Sequence, residues 1–445
     1  MYQRLRCPSG FIRRAVLLLL IAVALASAWT AAKAAELDEN GVVREALLRN
    51  HDLQAARAQV RAALGRLLQA GLWPNPRLEL SNQTDAFFKN EGEYSRSAGL
   101  AQDFPISGRL ALAENVARVD VARALAEVNE AERKLIGDVL SAFFAIAAID
   151  QKLKLRDDLI ASIAELATAS RARFRAGEVS ELDVNAAELE LLRLKQDRTA
   201  LIGERASALR TLAGLMGLDA KDALTLSTKP PVRKPLATDT VLVERAIERR
   251  GDLRLLSLSA DRAQAEKALA RASAWEDWTV SLAFVRDRTV IEGAPRQPSD
   301  DAVAMSVSIP FPLFNGNEGT RDAAEAEKIA AQEQRIALRQ RIENEVIGAR
   351  EQLIHLSEAV QTYETQALPL ARKNSALARD AYRKGLVSIM EVVQAERQEK
   401  ETGLSYAEAL SQYFKGVVDL DTATVAHGDL MTHPTLSEEP IGGER

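Results

Sequence analysis

Apolar residues recur at alternating four- and three-residue intervals along two long stretches of the chain. In the first, positions 128, 132, 135, 139, 142, 146, 149, 153, 156, 160, 163 and 167 are apolar except Glu132 and Arg156. In the second, positions 342, 346, 349, 353, 356, 360, 363, 367 and 370 are all apolar or aromatic. That spacing is the seam of helices wound about one another at a 3.5-residue period. A single helix from Gly108 to Phe174 would be roughly 100 Å long at ~1.5 Å per residue, a length that suits a conduit or spacer. Elsewhere the period changes to two. Trp278, Val280, Leu282 and Phe284 alternate with Asp277, Thr279, Ser281 and Ala283, and Val303, Met305, Val307 and Ile309 alternate with smaller or polar residues. Leu78 and Leu80 repeat the pattern between Arg77, Glu79 and Ser81, and a weaker strand spans 94–102. These segments predict four half-apolar strands.

The chain is written twice. The stretch from Arg171 to Val184 matches that from Arg379 to Val392 at an offset of 208: Phe174 meets Tyr382, Gly177 meets Gly385, Val179-Ser180 meets Val387-Ser388, and Asp183 meets Glu391. Phe104-Pro105 meets Phe311-Pro312 at 207, Trp73 meets Trp275 at 202, and Asp52-Leu53 meets Asp252-Leu253 at 200. Ordered pairs with slowly drifting offsets mark an internal duplication. Each copy predicts an opening helix (about 42–71 and 241–274), two strands and a long helical hairpin. The boundaries drawn from this are a signal peptide over 1–34, a first repeat over 35–219, a linker over 220–239, a second repeat over 240–426 and a disordered tail over 427–445. The linker holds Pro230, Pro231 and Pro235, which cannot continue a helix.

The signal reading rests on Arg4, Arg6, Arg13 and Arg14 before an apolar run from Ala15 to Ala28, then Ala32-Lys33-Ala34. That run is shorter than the ~20 residues of a spanning helix. Residues 1–34 contain five basic residues and no acid, so the formal charge of −5 becomes −10 without them, and the sole cysteine, Cys7, also leaves. An acidic chain with no basic stripe is poorly suited to nucleic acid, and a chain without cysteine has no disulfide or thiolate metal site.

No other segment approaches a spanning helix, so membrane insertion would need strands. Alternation alone also fits a sheet on a soluble core. Four strands fall short of the ~8 that the smallest membrane barrel needs, so inserted strands must be shared: eight from two chains or twelve from three.

Gly177 and Gly385 follow long helices, where glycine takes the left-handed turn. Ser180 with Asp183, and Ser388 with Glu391, fit capping boxes, Asp183 less well than a glutamate would. The four histidines, His51, His355, His427 and His433, are scattered and form no ligand set. No phosphate loop, zinc-protease helix or nucleophile elbow is present, so the chain reads as a non-enzyme without cofactor.

Three motifs now converge. The stretch from Gln69 to Leu80, containing Leu72-Trp73-Pro74-Asn75-Pro76, leads into the first strand. The turn Gln102-Asp103-Phe104-Pro105-Ile106-Ser107-Gly108-Arg109 links strand to helix, and Tyr382-x-x-Gly385-x-x-Ser388-x-x-Glu391-Val392 marks the second hairpin. Together they resemble the TolC family of outer-membrane efflux ducts, in its CzcC-like heavy-metal branch, over nearly the whole mature chain. At the strand-to-helix turn this chain has Pro105-Ile106-Ser107-Gly108 where that branch often has an acid followed by glycines.

The resemblance implies a mostly helical fold with a small β part: long coiled-coil hairpins of an α-barrel below a twelve-stranded β-barrel shared by a homotrimer. It implies an outer-membrane location with a large periplasmic part. The implied partners are a periplasmic adaptor and an inner-membrane resistance-nodulation-division pump, with divalent heavy-metal cations as cargo; drug efflux or type I secretion is the alternative within the family. Outside it, a periplasmic coiled-coil adaptor that never inserts remains open. By the same resemblance, Glu391 occupies a carboxylate position at the periplasmic gate, Gln394 stands at its second carboxylate position, and Asp183 is the first-copy counterpart. Arg175, Gly177, Val179, Ser180, Arg383, Gly385, Leu386, Val387 and Ser388 are the adaptor-contact candidates.

Overall fold

A computed structural model describes residues 37–87, 92–219, 224–227, 237–291, 293, 295 and 297–431. The expected signal, most of the linker and the tail beyond 431 lie outside the described residues. Among the described residues, nine α-helices and four strands follow in the order α1 (Glu39–Arg49), α2 (His51–Ala70), β1 (Arg77–Thr84), β2 (Tyr94–Phe104), α3 (Arg109–Arg175), α4 (Glu181–Leu215), α5 (Asp239–Arg249), α6 (Gly251–Ala272), β3 (Trp278–Arg288), β4 (Asp300–Ser308), α7 (Glu318–Thr362), a π-helical turn (Tyr363–Ala367), α8 (Leu368–Arg383) and α9 (Ile389–Ala423). A short 3-10 turn, Gly428–Leu430, follows α9.

The described chain divides into two compact units that cut across the sequence repeats, because the long helices belong to both. Of the described residues, one takes in those from 51 to 135, 237 to 352 and 419 to 431 and holds the sheet; the other takes in 37–50, 136–219, 224–227 and 353–418 and holds the helical hairpins.

In the sheet unit, β1, β2, β3 and β4 pair in sequence order, all antiparallel. Cross-strand register puts Leu78, Leu100, Leu282 and Met305 in one row and Leu80, Ala98, Phe284 and Val303 in the next. The opposite face carries Glu79, Gly99, Ala283 and Ala304, then Ser81, Ser97, Val285 and Ala302. The apolar face is bare: Leu80 is 72% and Val303 71% exposed. Among the described residues, the outer edges of β1 and β4 pair with no other strand. Where the sheet meets the helices, Arg77 grips Asp103 through bonds of 2.7 and 3.0 Å, and Thr279 Oγ donates to the same carboxylate at 2.7 Å. Gly108 takes φ +72° and lets the chain swing from β2 into α3, whose first residue, Arg109, donates to Asp277 at 2.7 Å.

The first seam holds. Val128, Val139 and Ile146 are fully buried, and Glu132 keeps its seam position, equally buried, by accepting from Arg57 at 2.9 Å. The second seam holds through Tyr363 and Ala367, both half-buried like Ala349 and Leu356, and fails at Leu370. The π turn, closed by the Leu368 N–H donating to the Tyr363 carbonyl, adds one residue to the helical path. It lies just before Pro369, which has no N–H and would crowd the carbonyl four residues back. Buried positions therefore move forward by one: Ala371 and Ser375 are buried, whereas the expected seam residue Leu370 is 59% exposed.

Each opening helix, expected as one piece, is two. The first breaks at Asn50, whose Nδ2 donates to the Leu215 carbonyl at 2.9 Å. A β-carbon on Gly217, which takes φ +67°, would lie 2.4 Å from the Arg49 carbonyl oxygen, so that residue lets the two segments meet. The second breaks at Arg250, almost fully buried and bonded to Asp252 (2.8 and 3.2 Å) and Glu345 (2.9 Å). These bonds hold the Arg250 guanidinium above its ordinary pKa against the opposing effect of burial.

Candidate functional site

The residues singled out by the sequence cluster at the two tips of the helical-hairpin unit. At the first, Gly177 takes φ +77°. The Gly177 N–H donates to Phe174 and the Glu178 N–H to Arg173, both at 2.9 Å, so a Schellman motif closes α3. At the second, Gly385 takes φ +70°, and the Gly385 and Leu386 N–H groups donate to Tyr382 and Ala381 at 2.9 Å. Each helix that follows starts in a reciprocal box. Asp183 N–H donates to Ser180 Oγ at 3.3 Å and Ser180 N–H donates to Asp183 Oδ2 at 3.1 Å. The Ser388–Glu391 pair makes the same two contacts at 3.4 Å. Asp183 therefore caps at least as closely as Glu391, because its shorter side chain folds back onto the serine, whose Oγ also donates to it at 2.7 Å.

The two tips are neighbours. Leu159, Ile163, Leu194, Ile389 and Val393 form one buried cluster, with Leu166, Leu191 and Tyr382 packed on it. The Arg173 guanidinium lies 4.7 Å from the Tyr382 ring centre, on the other hairpin. It also bonds Glu178 at 2.8 Å, and that bond first, with Tyr382 second, holds Arg173 above its ordinary pKa.

On α9, Glu391 and Gln394 are exposed one turn apart. They begin a row of exposed polar residues, Glu391, Gln394, Gln398, Glu401, Ser405 and Glu408, at alternating three- and four-residue steps. Arg175, Gly177, Ser180, Arg383, Gly385, Leu386 and Ser388 are exposed, while Val179 and Val387 are half-buried; Leu386 reaches 73%. Asp183 is half-buried on α4, in its own cap.

Two buried carboxylates beside these tips have a role that sequence reading passed over. Glu190 on α4 is 7% exposed and accepts from Arg397 on α9, at 3.1 Å to Nε and by a shorter bond to Nη2. Arg193 adds a 3.2 Å contact. Glu396 is 2% exposed and lies 3.3 Å from Arg379. Burial raises the Glu396 pKa above its ordinary 4.5, outweighing the lowering by Arg379. The available signal was an acid inside an apolar stripe: Glu190 interrupts Val184, Ala187 and Leu194, and Glu396 follows Ile389, Val392 and Val393.

Among the described residues no group of three or more His, Cys, Asp or Glu side chains is placed to hold a metal ion. None of their helices is long and apolar enough to cross a membrane.

A sheet with one bare apolar face, joined to paired helical hairpins in a twofold-repeated chain, defines a class: channel subunits of the bacterial outer membrane. The sequence profile of the outer membrane efflux protein family matches residues 42–218 and 242–424, one segment per repeat, and the chain belongs to that family. It is 22% identical to the cobalt-zinc-cadmium resistance protein CzcC of Cupriavidus metallidurans over 374 residues, 84% of this chain and 86% of that one. The fold is shared with CusC at a TM-score of 0.71 and 18% identity, covering 88% of this chain and 92% of that one. It is also shared with the open state of the MtrE outer membrane channel of Neisseria gonorrhoeae, at 0.68 and 19%, covering 87% and 88%. The protein is thus an outer-membrane efflux component, with a large periplasmic helical part.

Proposed function

We propose that three copies of this chain form a passive export duct for divalent heavy-metal cations, joined through a periplasmic adaptor to an inner-membrane pump of the resistance-nodulation-division type. The observation that carries the channel reading is the sheet: among the described residues, four strands with one apolar face and two open edges. An open edge is not tolerated in lipid, so β1 of one copy pairs with β4 of the next until the barrel closes. Three copies supply twelve strands. The heavy-metal cargo rests on the likeness to CzcC.

In this reading the hairpin tips face the adaptor, and Glu391 with Gln394 lines the narrow periplasmic entrance. Three copies of Glu391 would form an acidic ring that concentrates cations and repels anions, with Asp183 confined to its cap. The exposed row continuing from Glu391 to Glu408 gives the wall a polar lining of three carboxylates and three neutral side chains, with Glu408 paired to Lys152, suited to release rather than tight binding. Adaptor contact falls on Arg175, Val179, Ser180, Arg383, Leu386, Val387 and Ser388, held in place by the turns at Gly177 and Gly385.

Deleting the gene and plating on zinc, cadmium and cobalt tests the cargo. Sensitivity to metals that the intact gene reverses is the expected result; sensitivity only to dyes or antibiotics, or loss of an exported protein, would move the cargo to the family's other classes. Val387→Cys, in a chain otherwise free of cysteine after export, should crosslink to a cysteine-bearing adaptor hairpin. No crosslink in an assembled pump would remove the tip from the contact.

A further inference from the structure

Above the two apolar rows, toward the β1–β2 and β3–β4 connections, the same face of the sheet turns basic. Register places Asn82, Arg96, Arg286 and Asp301 in the next row and Thr84, Tyr94 and Arg288 beyond it. Since cross-strand partners share a face, three arginines lie on the side of Leu80, Phe284 and Val303, against one carboxylate. Arg96 and Arg286 are direct partners on adjacent strands. Like charges directly opposed destabilise a sheet. Asp301 answers Arg286 through two bonds, 2.6 and 2.8 Å. Arg96 donates at 3.0 Å to Asn82, which is neutral, and lies 4.9 Å from the Tyr94 ring centre. Both arginines are exposed. The strand ends that lead to helices lie at the other end of the sheet, so with the helices in the periplasm this basic row is at the outer leaflet, one step of ~7 Å beyond the last apolar row.

We propose that Arg96, Arg286 and Arg288 form a binding site for the phosphate groups of outer-leaflet lipid, whose acyl chains cover the apolar rows below. Guanidinium groups match phosphate oxygens two at a time. Tyr94 beside them is the amphipathic ring favoured at a membrane boundary. A phosphate seated between Arg96 and Arg286 relieves the repulsion that Asp301 alone leaves. The site rests on the channel reading, because only an inserted sheet meets lipid on that face.

The test uses the full mature chain, extracted from outer membranes as its oligomer, freed of lipid and titrated by native mass spectrometry. The probes are lipid A carrying two phosphates, dephosphorylated lipid A and inorganic phosphate. The wild type should hold the phosphorylated lipid at least about tenfold more tightly than the dephosphorylated one. The Arg96→Gln/Arg286→Gln variant should lose that preference, and Arg96→Lys/Arg286→Lys, which keeps the charge and guards against misfolding, should retain part of it. Equal binding of both lipids by the wild type, or an unchanged preference in the glutamine variant, overturns the site. Inorganic phosphate binding as well as the lipid overturns the lipid assignment. An oligomer that extracts normally but shows no preference refutes this inference alone, whereas a soluble monomer refutes the channel reading with it.

Discussion

The Glu190–Arg397 pair joins α4 to α9 beside the hairpin tips, and removing Arg397 is the sharpest test of how the tips are held. Arg397→Gln leaves a carboxylate that is 7% exposed with Arg193, a half-exposed side chain at 3.2 Å, as its remaining cationic partner among the described residues. Breaking a fully buried pair by deleting one partner costs roughly 3–5 kcal/mol. Arg397 is 40% exposed, so solvent already screens part of the attraction, and about 1–2 kcal/mol is the scaled cost. In a membrane oligomer a single unfolding free energy is poorly defined, whereas local opening is not. Hydrogen exchange of the full oligomer should therefore show amides around 184–194 and 389–400 exchanging roughly five- to thirtyfold faster, with β2 and β3 unchanged. Glu190→Gln/Arg397→Gln should recover much of the protection, because no charge is then left buried. Unchanged protection in the single variant, or a double variant as exposed as the single, would refute the reasoning.

Three further outcomes follow from the same geometry. Gly217→Ala should destabilise the helical unit by about 2–4 kcal/mol, from a left-handed backbone and a β-carbon driven against the Arg49 carbonyl; a lower thermal midpoint or yield would show it, and a wild-type midpoint would not fit. Glu396, with its pKa raised above 4.5, makes the helical unit less stable as pH rises from 4.5 to that higher value and adds no penalty below 4.5. Glu396→Gln should flatten this dependence in exchange measured from about pH 4 to pH 8, and a profile as steep as wild type would contradict it. Glu391→Gln should lower cation selectivity in planar bilayers while keeping the cap, since glutamine serves at that position; if only Glu391→Ala changes the channel, the residue acts as a cap.

What the sequence made legible is what local period and local motif encode. The 3.5-residue seam of α3, the two-residue alternation of β3 and β4, and the glycine-to-serine elements at 177–180 and 385–388 each depend on neighbours within a turn or two. The breaks at Asn50 and Arg250 depend on partners far along the chain: Leu215 and Gly217 for one, Glu345 for the other. Asn50-His51-Asp52 and Gly251-Asp252 are weak helix formers, but a window on the sequence does not show the distant partners that fix a break there. The one-residue slip after Ala367 arises from Pro369 and the π turn, and a strict heptad carried through it lands on exposed Leu370. The tip candidates were legible as turn residues. The carboxylates beside them were not, because Glu190 and Arg397 are 207 positions apart and only packing joins them. The basic row of Arg96 and Arg286 needed the register between two repeats, which alternation alone leaves open.

The central claim is that the four strands of one chain close a barrel only with those of other copies in the outer membrane. Native mass spectrometry of the full mature chain extracted from outer-membrane fractions tests it most directly. Three chains per particle, with β1 and β4 amides protected from exchange, is the result this account predicts. A single chain recovered from the soluble periplasmic fraction, with both strands open to exchange, would contradict it.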